Sequence, residues 1–131
     1  MANGGKVIKL VARPVRREVF KNGDADVNLG DRSVFTHDLY LDEERVGFDG
    51  GLCTVVRIDG AAYYIMCNVS MFLSDGTIAF QTFVEETFPP PPFYAAVTGG
   101  TGAYKDARGE MHIDPASPDT HYYTIYLSGI E

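Results

Sequence analysis

The feature that most constrains this chain is a pair of Asp-Gly dipeptides, Asp59-Gly60 and Asp75-Gly76, set between runs of alternating apolar residues. Asp-Gly favours the tight turns whose twist matches a two-stranded antiparallel hairpin. Gly or Pro interrupts most windows long enough to hold a helix, and helical periodicity is hard to find. Short β-rich runs fall instead at roughly 7–13, 33–40, 45–48, 51–58, 62–73, 77–86, 93–98, 106–113 and 121–128. The expected class is all-β, a barrel or a sandwich. Residues 21–32, rich in Asn, Gly and Asp, read as a loop. The Pro89–Pro92 run cannot donate to a sheet ladder and reads as a stiff connection at a barrel rim.

Hairpin turns fix registers, and registers fix faces. With Ser74 opposite Thr77, Met71 faces Phe80, Val69 faces Thr82 and Cys67 faces Val84. That face is apolar except for Thr82. The other face carries Tyr64, Met66, Asn68, Ser70, Gln81, Phe83 and Glu85 and is clearly more polar, so burial should turn the first set inward. Pairing about Asp59-Gly60 brings Cys53 opposite Cys67 and adds Val55 to the inner face. Two adjacent interior cysteines read first as small buried hydrophobes. A cross-strand disulfide requires a Cα separation near the usual ~5.5 Å.

At 131 residues the chain is the length of one domain, 1–131, able to bury a core without metals or a disulfide scaffold. Its formal net charge of -7 would repel a phosphate backbone, so nucleic acid is not an expected partner. No apolar run approaches the roughly 20 residues needed to span a bilayer, and no membrane partner is expected. The opening Met1-Ala2-Asn3-Gly4-Gly5-Lys6 lacks the apolar core of a signal peptide, so the expected location is the cytoplasm. Two Cys and three scattered His imply no metal site.

Leu29-Gly30-Asp31-Arg32-Ser33-Val34-Phe35-Thr36-His37-Asp38-Leu39-Tyr40 resembles the first barrel-strand segment of plant allene oxide cyclases. Arg45-Val46-Gly47 and Gly51–Val56 follow at that family's spacing. Ala96–Glu110, with Gly99-Gly100-Thr101-Gly102 inside it, resembles the Gly-rich signature shared with dirigent proteins, and Tyr122–Gly129 resembles the closing strand. No strand–helix unit follows the glycines, so they read as a tight turn and not a phosphate cradle. The resemblance covers roughly residues 29–129. It implies an eight-stranded antiparallel β-barrel with an interior ligand cavity, usually a homodimer or homotrimer. The chain also resembles bacterial cyclases of polyketide biosynthesis, the spirotetronate type among them, in compact size and in Leu73-Ser74-Asp75-Gly76.

The resemblance also implies roles. Phe35, His37 and Cys53 match cavity-lining positions of allene oxide cyclases, and His37 stands where that family places an Asn that helps hold a water. The functional Glu of the plant enzymes has no counterpart: residues 7–16 contain no acid. Cys67 aligns with a cavity Tyr of the spirotetronate cyclases.

His37 is the expected catalytic residue, since an imidazole can donate to a carbonyl or take a proton near neutral pH. Asp38 should point the other way on a regular strand, and His112 and His121 read as exposed. The expected substrate contacts are Phe35, Cys53, Val55, Cys67, Val69, Met71, Phe80, Thr82, Val84, Met111 and Ile113, with Tyr104 capping one mouth. In the last strand Tyr122, Thr124 and Tyr126 oppose Tyr123, Ile125 and Leu127, and either set can supply a phenol; Tyr126 is carried as a candidate. The basic stretch Lys9–Lys21, if placed over a barrel mouth, would attract an acidic substrate.

The function expected from the apolar inner face and the resemblance is a cofactor-free cyclase of a bacterial secondary pathway. It would fold an apolar, polyketide-like substrate for intramolecular ring closure, a [4+2] addition leading, by holding one reactive conformer. An allene oxide cyclase-type isomerase of an oxidised fatty acid and a non-catalytic ligand-binding barrel are the alternatives.

Overall fold

A computed structural model describes residues 5–128 and shows eight strands and no helix. They are β1 (Lys6–Phe20), β2 (Arg32–Leu41), β3 (Glu44–Asp59), β4 (Ala62–Leu73), β5 (Gly76–Glu85), β6 (Phe93–Gly102), β7 (Arg108–Ser117) and β8 (Thr120–Ser128). Each pairs antiparallel with the next, and β1 pairs with β8, closing the barrel. Closure leaves no free sheet edge. Among the described residues no helix is long and apolar enough to cross a membrane.

Two expected strands, 45–48 and 51–58, are one. The expected break at 49–50 is absent: β3 runs straight through it, paired with β2 on one side and β4 on the other. The first strand is longer than expected and reaches Phe20.

The β4–β5 register differs from the expected one by two positions. Leu73 faces Gly76, so Met71 pairs with Ile78, Val69 with Phe80, Cys67 with Thr82 and Ile65 with Val84. A slip of two preserves the alternation, so the inward set is unchanged. Val69, Met71, Phe80 and Thr82 are all buried. Cys53 does oppose Cys67, and the expected pair of thiols is a disulfide with a Cα separation of 4.0 Å.

The inner face is filled by its own side chains at one end. Leu39, Leu73, Ile78, Val97, Tyr104 and Leu127 fill it and belong to one continuous apolar core. Tyr104 follows the Gly-rich end of β6, where Gly102 adopts a left-handed φ of 64°. A Cβ at Gly100 would strike the Tyr104 backbone, so glycine there lets the turn fold against the barrel.

Candidate functional site

The opposite end is open. β1 pairs with β8 only as far as Ala12–His121, but stays paired with β2 to Phe20. The upper parts of β1, β2, β3 and β4 therefore stand above the rest as a lip. The register of β1 shifts between Pro14 and Arg16. Pro lacks an N–H, and a bulge where the β8 partner has ended accommodates it. Below the shift Leu10 and Ala12 face inward; above it Arg17 pairs with Phe35 and Val19 with Ser33.

Behind this lip lies a cavity of about 200 Å³. Val19, Val27, Cys53, Val55, Ile65 and Phe88 supply its apolar wall; Arg17, Lys21 and Arg32 its cations, Asp26, Asp31 and Glu86 its acids, and Ser33 and Tyr63 its hydroxyls. Burial, opposed by Arg17, pushes the Glu86 carboxyl above its ordinary value. Burial and then Glu86 raise the Tyr63 phenol. The loop between β1 and β2 forms one rim. It is held by Asp31, which accepts from the backbone N–H of Asn22 (2.6 Å) and of Asn28 (2.8 Å) and pairs with Lys21 at 2.9 Å. The hydrogen bond from Asn22 leads in holding the Asp31 carboxyl far below its ordinary value.

Deeper in the barrel, one layer below Phe35 and Gly51, His37 pairs with Asp49. Asp49 is fully buried. One of its oxygens accepts from the His37 backbone N–H and from His37 Nδ1, both at 2.8 Å; the other accepts from the Tyr123 hydroxyl at 3.1 Å. A carboxylate facing Nδ1 makes that nitrogen the donor and leaves Nε2 with a free lone pair. Nε2 of His37, by contrast, makes no hydrogen bond within the protein. His121 lies against His37 with ring centroids 5.3 Å apart, and Phe35 lies on another side at 5.4 Å. Burial, then the neighbouring His37, lowers the His121 imidazole below its ordinary value. Burial, then Asp49, raises the Tyr123 phenol well above its own.

This arrangement is an oriented base. The carboxylate fixes the imidazole's tautomer and direction and would stabilise the imidazolium formed when Nε2 takes a proton. Phe35 occupies the layer between the cavity and His37, so the two are adjacent and not one continuous space. Among the described residues no group of three or more His, Cys, Asp or Glu is placed to hold a metal ion.

The expected site residues fall into three groups. Phe35, His37, Cys53, Val55 and Cys67 lie at or just below the mouth. Val69, Met71, Phe80, Val84, Met111 and Ile113 do face inward, with Met71 and Met111 wholly enclosed in the core. Thr82 also faces inward, but its hydroxyl donates to the Tyr94 carbonyl at 2.9 Å. Tyr104 is buried at the closed end, far from the mouth, and packs as a plug. Tyr126 is corrected outright: it is exposed on the outer face, because Tyr123, Ile125 and Leu127 take the inner one. His121, expected to be exposed, is half-buried against His37.

Asp49 and Glu86 are not among the residues the sequence singles out; Tyr123 stands there only as one of two alternative faces, and Arg17 only within the basic stretch Lys9–Lys21. Asp49 sits before two glycines and looks like turn chemistry. Tyr123 is adjacent to Tyr122, and two aromatic neighbours give no preference of face. Arg17 faces inward only because of the bulge.

The model of the allene oxide cyclase barrel like domain family matches residues 16–127. Among solved structures, a pyocyanin demethylase is similar with a TM-score of 0.84 and 27% identity, over 94% of this chain and 100% of that one. AbnU, an exo-specific intermolecular Diels-Alderase, matches with a TM-score of 0.78 and 19% identity, over 95% and 98%. The Diels-Alderase AbmU from Streptomyces koyangensis matches with a TM-score of 0.78 and 16% identity, over 98% of this chain and 71% of that one. The last two likenesses speak to the fold. With its closed eight-stranded barrel and a family match spanning most of its length, this chain belongs to the allene oxide cyclase barrel-like family.

Proposed function

We propose that this protein is an acid–base enzyme that takes a compact, conjugated organic molecule at its barrel mouth and isomerises it by moving a proton. The observation that carries this reading is the buried His37–Asp49–Tyr123 array with its unpartnered Nε2. The Phe35 ring, which stands between the mouth cavity and His37, swings aside as the guest enters, and Nε2 then removes a proton from one atom of the bound molecule and returns it to another. Atoms and electrons balance within the substrate, whether the outcome is a shifted double bond or a closed ring, and no further reactant is required. The similarity to a pyocyanin demethylase, a protein named for a small aromatic substrate, supports a flat and conjugated ligand.

Size argues in the same direction. Small-molecule sites commonly measure roughly 300–1,000 Å³, and the mouth cavity is about 200 Å³. That favours a compact guest over an extended polyketide chain. The outer wall, where the rings of Phe48 and Phe72 stack 5.2 Å apart in contact with solvent, favours a homo-oligomer as the working form.

A second reading, ring closure by [4+2] addition with the barrel acting by shape alone, is supported by the apolar inner wall and the Diels-Alderase-like fold. One experiment separates them. Pyocyanin and a panel of small conjugated ketones and dienes are incubated with the protein in D2O. Proton movement predicts solvent deuterium in the product and loss of turnover in His37→Ala. A cycloadduct free of deuterium, formed equally by His37→Ala, would replace the first reading with the second.

A further inference from the structure

The bulge at Pro14/Arg16 sorts three consecutive charged side chains to different faces. Arg16 and Glu18 point outward and pair with each other at 2.9 Å. Arg17, between them, turns inward and lines the mouth cavity. Bulges commonly re-aim a side chain beside a site. The other two cations of that cavity are engaged: Lys21 pairs with Asp31, and the Arg32 guanidinium lies 5.8 Å from the centre of the Phe20 ring. Among the described residues Arg17 alone of the three has no carboxylate within salt-bridge distance and no aromatic ring beneath it.

A planar guanidinium with its donors unfilled, aimed over an apolar wall, matches a carboxylate and can bind it in two parallel hydrogen bonds. We infer that Arg17 forms an anion-recognising subsite, and that the ligand is a small planar monocarboxylate whose ring system lies against Val19, Val55 and Ile65. Asp26, the Lys21-paired Asp31 and Glu86 all line the same cavity, and Glu86 limits the negative charge accepted there. A second negative group on the ligand would face it, so a monoanion is accepted over a dianion. The inference rests on the reading of the barrel mouth as the substrate site and adds the class of substrate to it.

The test is calorimetric titration with naphthalene-2-carboxylate and its uncharged amide, which share shape and differ in charge. The wild-type protein should bind the carboxylate about tenfold more tightly, the scale of one charge-assisted hydrogen-bonded pair. Arg17→Gln should bind the amide as the wild type does and lose the preference. Raising the salt concentration should shrink the preference in the wild type. Equal affinity for both ligands in the wild type, a preference that survives Arg17→Gln, or binding of neither ligand would each overturn the inference. His37→Ala should keep the preference intact. A wild-type protein that shows the carboxylate preference but moves no proton would thus sink the acid–base reading alone.

Discussion

The ring of Phe35 lies directly on the bare backbone of Gly51: a Cβ at position 51 would stand 2.5 Å from Phe35 Cζ and 2.7 Å from Val69 Cγ2. The missing side chain is the seat that allows an aromatic ring to lie against the barrel wall between the mouth cavity and His37. Gly51→Ala should therefore overpack this layer and cost about 1–3 kcal/mol. Adding Phe35→Ala should recover much of that loss, and the coupling is read from a double-mutant cycle in urea. Purely additive costs would show that the ring is not seated there.

Asp49 gathers three donors from two strands across the barrel. Asp49→Ala leaves the His37 N–H, its Nδ1–H and the Tyr123 hydroxyl without an acceptor. At roughly 1–3 kcal/mol for each buried unsatisfied group, the expected loss is about 3 kcal/mol or more. Asp49→Asn keeps the shape and should cost much less in stability. It should still lower turnover about a hundredfold or more, because the tautomer of His37 is no longer imposed. Chemical denaturation and an activity assay on the same two variants separate the effects.

The buried titrating groups set opposite limits of pH. His121 has a lowered value in the folded chain. Between 6.5 and that lower value the unfolded chain binds more protons, so stability falls as pH drops through the window. His121→Gln should flatten this acid limb. Tyr104 is pushed up to about 12 by burial and then Asp75, and Tyr123 lies well above 10.0. There the folded chain keeps protons that the unfolded chain gives up, so stability falls as pH rises above 10.0. Tyr123→Phe should soften the alkaline limb. Urea midpoints measured across pH check both signs.

The turn between β2 and β3 is built from residues that dislike it. Leu41 pairs with Glu44, so Asp42 and Glu43 form a two-residue loop with φ of 50° and 69°. Such a loop prefers Asn-Gly, and left-handed backbone costs a side-chain-bearing residue about 1–2 kcal/mol. Glu43→Gly should raise stability by about 1 kcal/mol in chemical denaturation. A loss of stability would mean the Glu43 side chain contributes more than its backbone strain costs.

Phe48 and Phe72 should report self-association. If copies meet on this wall, Phe72→Glu places a charge in a dry contact and should shift the sedimentation profile to the monomer with the barrel still folded. An unchanged profile would exclude this face.

The inward residues of the central hairpin were legible because side chains alternate with a period of two. An error of two residues in the β4–β5 register moved every partner and left every face in place. Asp49 escaped for the opposite reason. A carboxylate before two glycines has the local chemistry of a turn, and only its donors, His37 and Tyr123, make it a buried strand residue. The sequence leaves the inward face of the last strand open between Tyr126 and Tyr123, because adjacent aromatic residues carry equal hydrophobic weight. Closure against β1 decides between them.

Local alternation and turn chemistry thus determined that this chain forms antiparallel hairpins, and which stripe of most of them is apolar. Its motifs carried the likeness to a barrel family. Tertiary structure alone decided the polar site. His37, Asp49 and Tyr123 come from three strands, and Arg17 owes its direction to a one-residue bulge. Contacts between residues distant along the chain leave no periodic trace in it, since each is produced by the register and closure of the whole barrel.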